Sequence, residues 1–354
     1  MQLKTLPQLF IFTICLFLTS CSNFFNEKNG GLILPDGFEA VVVVDSLPGR
    51  ARHLAVNENG DIYVKGNRFV EGGMNFVLRD ENKDGRADII KNFGPKIREG
   101  AYATSMRIHN GYLYTSSEML VYRYKLDPKS MVPMGEPEYI VIDSGRRREH
   151  DGKPLAFDGK GHIFVPFGAP SDACQVENRL PGSPGMLPCP ILDSNAGVWM
   201  FDENKLNQFR TVDGVKVATG LRSLVAMTWN TQDNSLYCVG HGRDGLVNTW
   251  PQYYNAWQSA LLPSEAFYKL KPGANAGWPY YYFDQMKGKV MLNPEYGGNG
   301  EIENTDTTAS SSTLKQICST VISEGGYELR GIQQAIGIPI TTPRTGAPAV
   351  TKLQ

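Results

Sequence analysis

The sequence lacks an excess of charge of either sign. It has 35 lysines and arginines against 36 aspartates and glutamates, which gives a formal net charge of −1 over 354 residues. Non-specific binding to nucleic acid depends on a positive electrostatic field, and this composition does not supply one. The three arginines at 146–148 therefore indicate a local site or a solvated loop. We expect no nucleic-acid partner.

Long apolar runs are also scarce, apart from residues 9–18 near the N-terminus. That run is long enough for the core of a signal peptide and too short to cross a membrane. It ends in the residues LTSC, which resemble a bacterial lipobox whose cysteine, Cys21, becomes lipidated. We therefore expect a signal peptide at 1–20 and a polar tether at 21–33. The alternative is an ordinary signal peptide that a cysteine happens to follow.

This N-terminal pattern has a consequence for localisation. A lipidated cysteine anchors a protein to a membrane without spanning it. We therefore expect an exported, lipid-anchored protein of the bacterial cell envelope, in the periplasm or at the outer membrane.

Cysteines are few, at six in the chain. Cys174 and Cys189 bracket a loop rich in proline and glycine. In an exported protein this pair favours a disulfide, which stabilises by about 3 kcal/mol in the chain-entropy model. Metal ligation is the alternative, but the loop contains no histidine. Cys238, inside the apolar run SLYCVG, is expected to be a small buried residue.

Long helical periodicities are scarce, whereas 37 glycines, 16 tyrosines and 16 phenylalanines favour an all-β protein. Four segments repeat an apolar alternation, a polar turn and a second β-rich run: 53–66, 105–117, 154–168 and 225–242. Each segment predicts a β-hairpin. A third strand follows each hairpin, and an outer strand such as EYIVID or KVATGL follows in some copies.

The recurrence of this unit roughly every fifty residues is typical of propeller blades. An irregular β-sandwich is the alternative, but it gives no reason for the same hairpin to return in register. We predict an all-β propeller over residues 34–300 with about four recognisable blades, followed by an irregular C-terminal tail at 301–354.

The stretch DENKDGRAD, residues 80–88, matches the start of a calcium-binding loop. An EF-hand loop needs a bidentate glutamate at its twelfth position, which here is Lys91. The stretch therefore predicts a turn between the third and fourth strands of a blade, with a bound ion as the alternative.

Four segments resemble the soluble glucose dehydrogenase and sorbosone dehydrogenase family. They are LPDGFEAVVVVDSLPGRARHLAVNENGDIYV, REHDGKPLAFDGKGHIFVPFGAPSDACQ, GLRSLVAMTWNTQDNSLYCVGHGRDGL and LKPGANAGWPYYY. Members of this family are six-bladed propellers that oxidise sugars with pyrroloquinoline quinone (PQQ) and calcium. The resemblance, from about Leu34 to Gly300, implies PQQ and Ca²⁺ as cofactors, a small sugar as substrate and a respiratory electron acceptor as partner.

The resemblance also implies a role for His150. It matches the family's general base, which takes the proton of the sugar's C1 hydroxyl, and imidazole suits this task near neutral pH. Glu149 matches an acidic neighbour that orients the imidazole. Taken without the resemblance, His150 is a solvated loop histidine. His53 is a weaker candidate at an inner strand, and His109 and His162 are expected at a turn or strand surface.

The cofactor positions implied by the resemblance lie later in the chain. Arg222 matches an arginine that lies against the quinone and stabilises negative charge on its oxygens. Gly242 and Arg243 match the positions whose backbone carbonyls bind calcium. His241 lies beside them and is expected to line the same pocket. Trp278 is expected to pack between blades and to border the site.

The chain departs from the family at three places. At the calcium position Arg243 stands where the family has proline, which is tolerable if only its carbonyl is used. After Arg222 the soluble glucose enzymes carry polar residues that touch the cofactor, whereas this chain has Ser223-Leu224-Val225, which implies a different sugar. From Glu301 onward only Tyr327 is aromatic. The two further blades of the family, with the cations that clamp the quinone, are not recognisable there, so the tail resembles a truncated, frame-shifted or divergent ending.

Three functions remain open at this point. The first is PQQ- and calcium-dependent oxidation of an aldose or a related sugar, with His150 as base and hydride transfer to the quinone. The second is a catalytically inactive envelope propeller that binds a glycan or a partner protein. The third is a calcium-dependent lactonase, which would need several inward carboxylates that the sequence does not suggest.

Overall fold

The computed structural model describes residues 29–94, 105–143, 149–263 and 265–301, and their secondary structure is almost entirely β. The predicted signal peptide, Cys21, most of the tether, the arginines at 146–148 and the tail from residue 302 lie outside the described residues. Within the described ranges, no helix is both long and apolar enough to cross a membrane.

The described strands follow one another along the chain in this order: β1 (Ala51–Val56), β2 (Ile62–Val70), β3 (Gly73–Arg79), β4 (Ile89–Phe93), β5 (Ser105–His109), β6 (Tyr112–Ser116), β7 (Leu120–Lys125), β8 (Met134–Ile142), β9 (Ala156–Phe157), β10 (His162–Phe167), β11 (Gly197–Asp202), β12 (Gln208–Phe209), β13 (Val215–Thr219), β14 (Leu224–Asn230), β15 (Ser235–Gly240), β16 (Ala266–Leu270), β17 (Ala274–Asn275), β18 (Tyr281–Asp284) and β19 (Lys289–Leu292). The helices are short: α1 (Ile191–Ser194), α2 (Arg210–Asp213), α3 (Leu246–Thr249), α4 (Ala256–Leu261) and a 3-10 turn at Pro294–Tyr296.

The strands form four successive sheets in which neighbours along the chain are neighbours in space. Their orders are β1-β2-β3-β4, then β5-β6-β7-β8 with β12 outside β8, then β9-β10-β11-β13 with β17 outside β13, and then β14-β15-β16. The strands β18 and β19 form a separate pair. Sheets of three to five strands that recur in this way are propeller blades. The predicted all-β propeller with about four blades is therefore confirmed.

The four predicted hairpins are the first two strands of these four sheets. The hairpin of β5 and β6 shows why the sequence folds in this way. His109 pairs with Tyr112, and the two residues between them, Asn110 and Gly111, have φ of 47° and 75°. Asn-Gly adopts this turn more easily than most pairs, because both positions require a positive φ.

The stretch at 80–88 joins β3 to β4, as predicted. Its carboxylates fold back on their own loop: Asp80 accepts hydrogen bonds from the backbone amides of Lys83 at 2.7 Å and Gly85 at 2.8 Å. Asp88 accepts one from the amide of Glu81 at 2.7 Å. The acidic side chains therefore stabilise a turn.

The described residues divide into two compact units. The first contains the described residues up to 167 together with 199–215 and 224–228. The second contains 168–198, 216–223 and the described residues from 229.

In the first unit, an apolar cluster joins the first two sheets. Tyr63 belongs to this cluster, and its buried hydroxyl donates to the carbonyl of Met131 at 3.0 Å. Burying each large apolar side chain contributes about 1.5–3 kcal/mol. The buried members of the cluster are Tyr63, Val77, Phe93, Met106, Leu113, Leu120, Tyr122, Tyr124 and Met131.

In the second unit, the predicted disulfide between Cys174 and Cys189 is present, with a Cα–Cα distance of 6.2 Å. It closes the long loop, and both cysteines pack with Trp278 in a buried cluster. Trp278 thus packs against the disulfide loop, and its indole N–H donates to the carbonyl of Asp172 at 2.9 Å; the expected packing between blades stays a prediction. Cys238 is buried as a free thiol, as predicted.

Candidate functional site

His150 lies in the first unit, in the segment that leads into β9. It is half-buried, and its backbone is in the left-handed region with φ of 56°. For a residue other than glycine, this conformation costs about 1–2 kcal/mol, so surrounding contacts must hold it. Such strained positions concentrate at functional sites. Glu149, immediately before it, is also half-buried.

The residues just after His150 are held by two strands. A Cβ atom added to Gly152 would lie 2.9 Å from the carbonyl oxygen of Leu224, at the start of β14. Ser116, at the end of β6, donates from Oγ to the carbonyl of Lys153 at 2.7 Å. The close approach at Gly152 leaves no room for a larger residue. Together these contacts fix the position of the His150 segment.

A buried ion pair completes this segment. The Lys153 ammonium lies 3.6 Å from Asp143, with side-chain exposures of 1% and 3%. The Arg210 guanidinium lies 3.8 Å from the other oxygen of the same carboxylate and 4.7 Å from the centre of the Phe167 ring. Lys153 and Arg210 thus share the Asp143 carboxylate, and Lys153 follows His150 closely in the chain.

Arg222 lies in the second unit and is committed to internal partners. Its Nη2 donates to Oδ1 of Asp172 at 2.7 Å, and its Nε donates to the Asp172 carbonyl at 3.2 Å. Nη1 donates to the carbonyl of Gly242 at 3.0 Å, and Nη2 also reaches Asp244 at 3.4 Å. These bonds occupy four of the five N–H groups that a guanidinium carries.

Arg243 extends this cluster through its side chain. Its Nη2 lies 2.9 Å from Oδ2 of Asp172, and its Nη1 donates to Oε2 of Glu295 at 2.6 Å. The other oxygen of Glu295 accepts from the indole of Trp250 at 2.7 Å. Burial by itself would lower the pKa of Arg243, but Asp172 and Glu295 outweigh it and raise the pKa above its ordinary value.

The residues around Gly242 do not fit a calcium ion. The Gly242 carbonyl already accepts from the Arg222 cation, and the Arg243 guanidinium is buried in the same cluster. Calcium binds six to eight oxygen ligands, and two adjacent cations oppose it. Among the residues that the structure describes, no group of three or more histidine, cysteine, aspartate or glutamate side chains could hold a metal.

The same residues fit PQQ only in part. PQQ is an anionic ortho-quinone, so its oxygens require N–H donors or cations. Arg222 keeps one N–H of Nη1 without a partner among the described residues, which suffices for a single contact to an anionic oxygen. Its charge, however, is already compensated by Asp172.

The other histidines have partners of their own. The Nδ1 of His241 lies 3.0 Å from Glu265, and both side chains are exposed, so His241 forms a surface pair. His162 lies at a strand surface as expected, with Nδ1 2.7 Å from Asp158. His109 is more buried than expected. Its Nε2 lies 3.0 Å from Oε2 of Glu203, and its ring stacks on that of Phe157.

Sequence reasoning did not identify two residues that the structure makes prominent. Asp172 is fully buried and joins Arg222 to Arg243. The only sequence feature that could have drawn attention to Asp172 is its place in SDACQ, at the end of a segment that resembles the family. Arg107 is a charged residue between the apolar Met106 and Ile108 of strand β5, and that interruption was its signal.

Comparisons with known proteins support the fold. No protein-family model matches the chain, and none of the curated proteins matches it in sequence. The holo form of the PQQ domain of pyranose dehydrogenase from Coprinopsis cinerea is similar, with a TM-score of 0.54 and 15% identity over 73% of this chain. The calcium structure of a family AA12 carbohydrate-active enzyme from Trichoderma reesei is also similar, with a TM-score of 0.55 and 12% identity over 78% of this chain.

The two similar structures are larger than the matched part of this chain. The match covers 63% of the pyranose dehydrogenase domain and 67% of the Trichoderma reesei enzyme. At these identities the similarity shows the fold alone, and the chain shares that fold.

Proposed function

We propose that this chain is a sugar oxidoreductase of the soluble glucose and sorbosone dehydrogenase type, which uses PQQ to oxidise an aldose or a related sugar. The fold that it shares with the PQQ domain of pyranose dehydrogenase supports this proposal. The observation that carries it is the left-handed backbone of the half-buried His150 at the entry to β9. Strain of this kind is retained where surrounding contacts and function require it.

In the proposed reaction, the unprotonated ring nitrogen of His150 accepts the proton of the sugar's C1 hydroxyl. The carbon loses a hydride, so the pyranose becomes a lactone after a loss of two electrons and two protons in all. PQQ, when bound, supplies the quinone that accepts the two electrons. Glu149, immediately before His150 in the chain, orients the imidazole.

Arg222 is the residue proposed to contact the cofactor, because it would donate to PQQ the one N–H that it does not use internally. The family also implies calcium, but Gly242 and Arg243 do not fit that ion, and no step of the reaction is assigned to it. The proposal includes export, lipidation of Cys21 and transfer of electrons to a respiratory acceptor.

The test is oxidation of aldoses by the full chain with PQQ, followed with an artificial electron acceptor, with and without Ca²⁺. We expect turnover that depends on PQQ, and a loss of about a hundredfold or more in His150→Ala. The matched control is His162→Ala, which removes an imidazole at a strand surface and should retain activity. Equal rates in the two variants would show that His150 is not the base.

A second candidate function is an inactive propeller that binds a glycan or a partner protein. The internal compensation of Arg222 and Arg243 by Asp172 and Glu295 favours it, because an anionic cofactor gains little from cations that are already paired. Titration calorimetry with PQQ separates the two candidates. Tight binding of PQQ by the folded chain would rule out the second candidate, and its absence would rule out the first.

A further inference from the structure

Arg107 is a cation in the first unit that the proposed reaction does not use. It lies in the middle of β5, and its side chain is exposed. Its Nη2 donates to the backbone carbonyl of Met227 on β14 at 3.0 Å. That bond uses one of five N–H groups, and no carboxylate among the described residues forms an ion pair with it.

Other arginines of the first unit form ion pairs with carboxylates, which Arg107 does not do among the described residues. Arg79 binds Asp61, with the two atoms 2.7 Å apart, and Arg123 binds Glu138 at the same distance. Protein atoms around the guanidinium lower the pKa of Arg107 by desolvation, although much of the residue is exposed to solvent, and no carboxylate raises that pKa. Protein atoms therefore remove part of its hydration while its charge stays uncompensated. A guanidinium in this state gains most from an anion that it can bind through two N–H groups.

The location of Arg107 relates it to the His150 segment. Ser105, at the start of β5, pairs with Ser116, which holds the Lys153 carbonyl. Leu224, at the start of β14, contacts Gly152. Arg107 therefore links β5 to β14, and β14 is one of the two strands that hold the His150 segment.

The hydrogen bond from Arg107 to Met227 starts two residues after Ser105 on β5 and ends three residues after Leu224 on β14. At the rise of a β-strand, these offsets correspond to roughly 7–10 Å. This is the scale of one sugar unit with a side chain in contact at each end.

We propose that Arg107 binds the carboxylate of an acidic sugar, such as a uronic acid, whose C1 end reaches His150. This inference rests on the proposed function and assigns its substrate class. A neutral aldose would leave the guanidinium without its anion, whereas a uronate carries its carboxylate on C5, across the ring oxygen from C1. The chain would therefore prefer sugar acids to neutral sugars.

The test is titration calorimetry of the full chain with D-glucuronate and D-glucose, without any turnover. We expect glucuronate to bind about tenfold or more tightly than glucose, because a charge-assisted hydrogen bond contributes about 1.5–3 kcal/mol. Arg107→Gln, which removes the charge and keeps a polar side chain, should lose that preference and keep its affinity for glucose. Arg68→Gln, which removes an exposed arginine of β2, is the matched control and should bind as the native chain does.

Three results would overturn the inference. One is equal affinity of the native chain for both sugars. Another is an equal loss for both sugars in Arg107→Gln, which indicates a structural role. The third is weaker binding of PQQ in Arg107→Gln with unchanged binding of glucuronate, which assigns the cation to the cofactor's carboxylates. Arg107→Lys retains the charge and should keep part of the preference, so the test survives if the glutamine variant does not fold.

Failure of the proposed function gives a different result. If the chain shows no PQQ-dependent turnover but prefers glucuronate through Arg107, the catalytic proposal fails and the acid site remains. If the chain oxidises glucose and glucuronate equally well and binds them equally, the function stands and the assignment of Arg107 is wrong.

Discussion

Arg222 and Asp172 are joined through both the side chain and the backbone of the aspartate, because Nη2 binds the carboxylate at 2.7 Å and Nε binds the carbonyl at 3.2 Å. The same carboxylate lies 2.9 Å from Arg243. Asp172 is thus the shared counter-ion of two buried arginines. Without the Asp172 carboxylate, both buried guanidinium groups would have too little negative charge nearby to offset their desolvation.

We predict that Asp172→Asn destabilises the protein by about 3–5 kcal/mol, since removing one partner of a buried ion pair leaves an uncompensated charge. Urea unfolding measures this change. Asp244→Asn is the matched control, because Asp244 reaches Arg222 at 3.4 Å but is 82% exposed. It should cost less than about 1 kcal/mol, as exposed ion pairs do. Equal losses would show that Asp172 is not the shared counter-ion.

We predict that His150→Gly is more stable than His150→Ala by about 0.5–1 kcal/mol. Glycine adopts the φ of 56° without the steric cost that alanine carries, although it has more conformational entropy to lose on folding. Chemical denaturation of both variants measures the difference.

Lys91 provides the matched position for this comparison, because it is an exposed residue of the regular strand β4. There the order should reverse, with Lys91→Gly less stable than Lys91→Ala, since glycine is unfavourable inside a strand. The same order at both positions would contradict the left-handed backbone of His150.

Lys65 should make stability depend on pH. Its ammonium is buried against the hydroxyl of Thr115 at 2.7 Å and the carbonyl of Ser116 at 2.6 Å, and burial lowers its pKa from 10.5 to about 7. Between these two values the unfolded chain holds a proton that the folded chain does not. The contribution of Lys65 to the free energy of unfolding therefore rises with pH from about 7 to about 10.5 and is least favourable below 7.

The comparison that isolates this effect is Lys65→Met, which retains a similar volume without a titrating group. Urea unfolding at pH about 6.5 and about 9 should show a rise on the order of a few kcal/mol in the native chain relative to the variant. Identical pH dependence in both proteins would mean that Lys65 stays protonated when folded.

The disulfide gives a prediction about reduction. Replacing both Cys174 and Cys189 by serine should lower the free energy of unfolding by about 3 kcal/mol, because the unfolded chain gains the freedom of the open loop. A reductant should lower the melting temperature of the native chain and leave that of the double variant unchanged. A reductant that acts equally on both would show that the bridge does not carry the effect.

Much of the fold could be predicted because its determinants are local. The turn at Asn110 and Gly111 and the turn at 80–88 depend on residue types a few positions apart, so the hairpins and the loop between β3 and β4 were correct. The added strands β12 and β17 were not predicted. Each is two residues long, and a pair of residues carries no periodicity.

The candidate site was less predictable, because its contacts join distant parts of the chain. Arg222 and Asp172 are 50 residues apart, and Arg243 and Glu295 are 52 apart. The resemblance assigned Arg243 a role through its backbone carbonyl, whereas its side chain proved to be a buried member of an ionic cluster. Which carboxylate an arginine reaches is decided by tertiary packing, to which sequence spacing gives no access.

The strands β12 and β17 bear on how the protein is made. Gln208 and Phe209 pair in parallel with Val141 and Ile142 at the outer edge of the second sheet. Ala274 and Asn275 do the same for β13 of the third sheet. Each of these two sheets is therefore completed by a short strand that is synthesised after the other strands of that sheet.

An unfinished sheet presents unpaired N–H and C=O groups that can pair with another chain. The nascent chain consequently carries such an edge at β8 until residue 209 has emerged and at β13 until residue 275 has emerged. During these two intervals of translation, we expect chaperones to bind the exposed edge strand. Cleavage of the chain between sheets should likewise leave a fragment whose exposed edge makes it prone to aggregate.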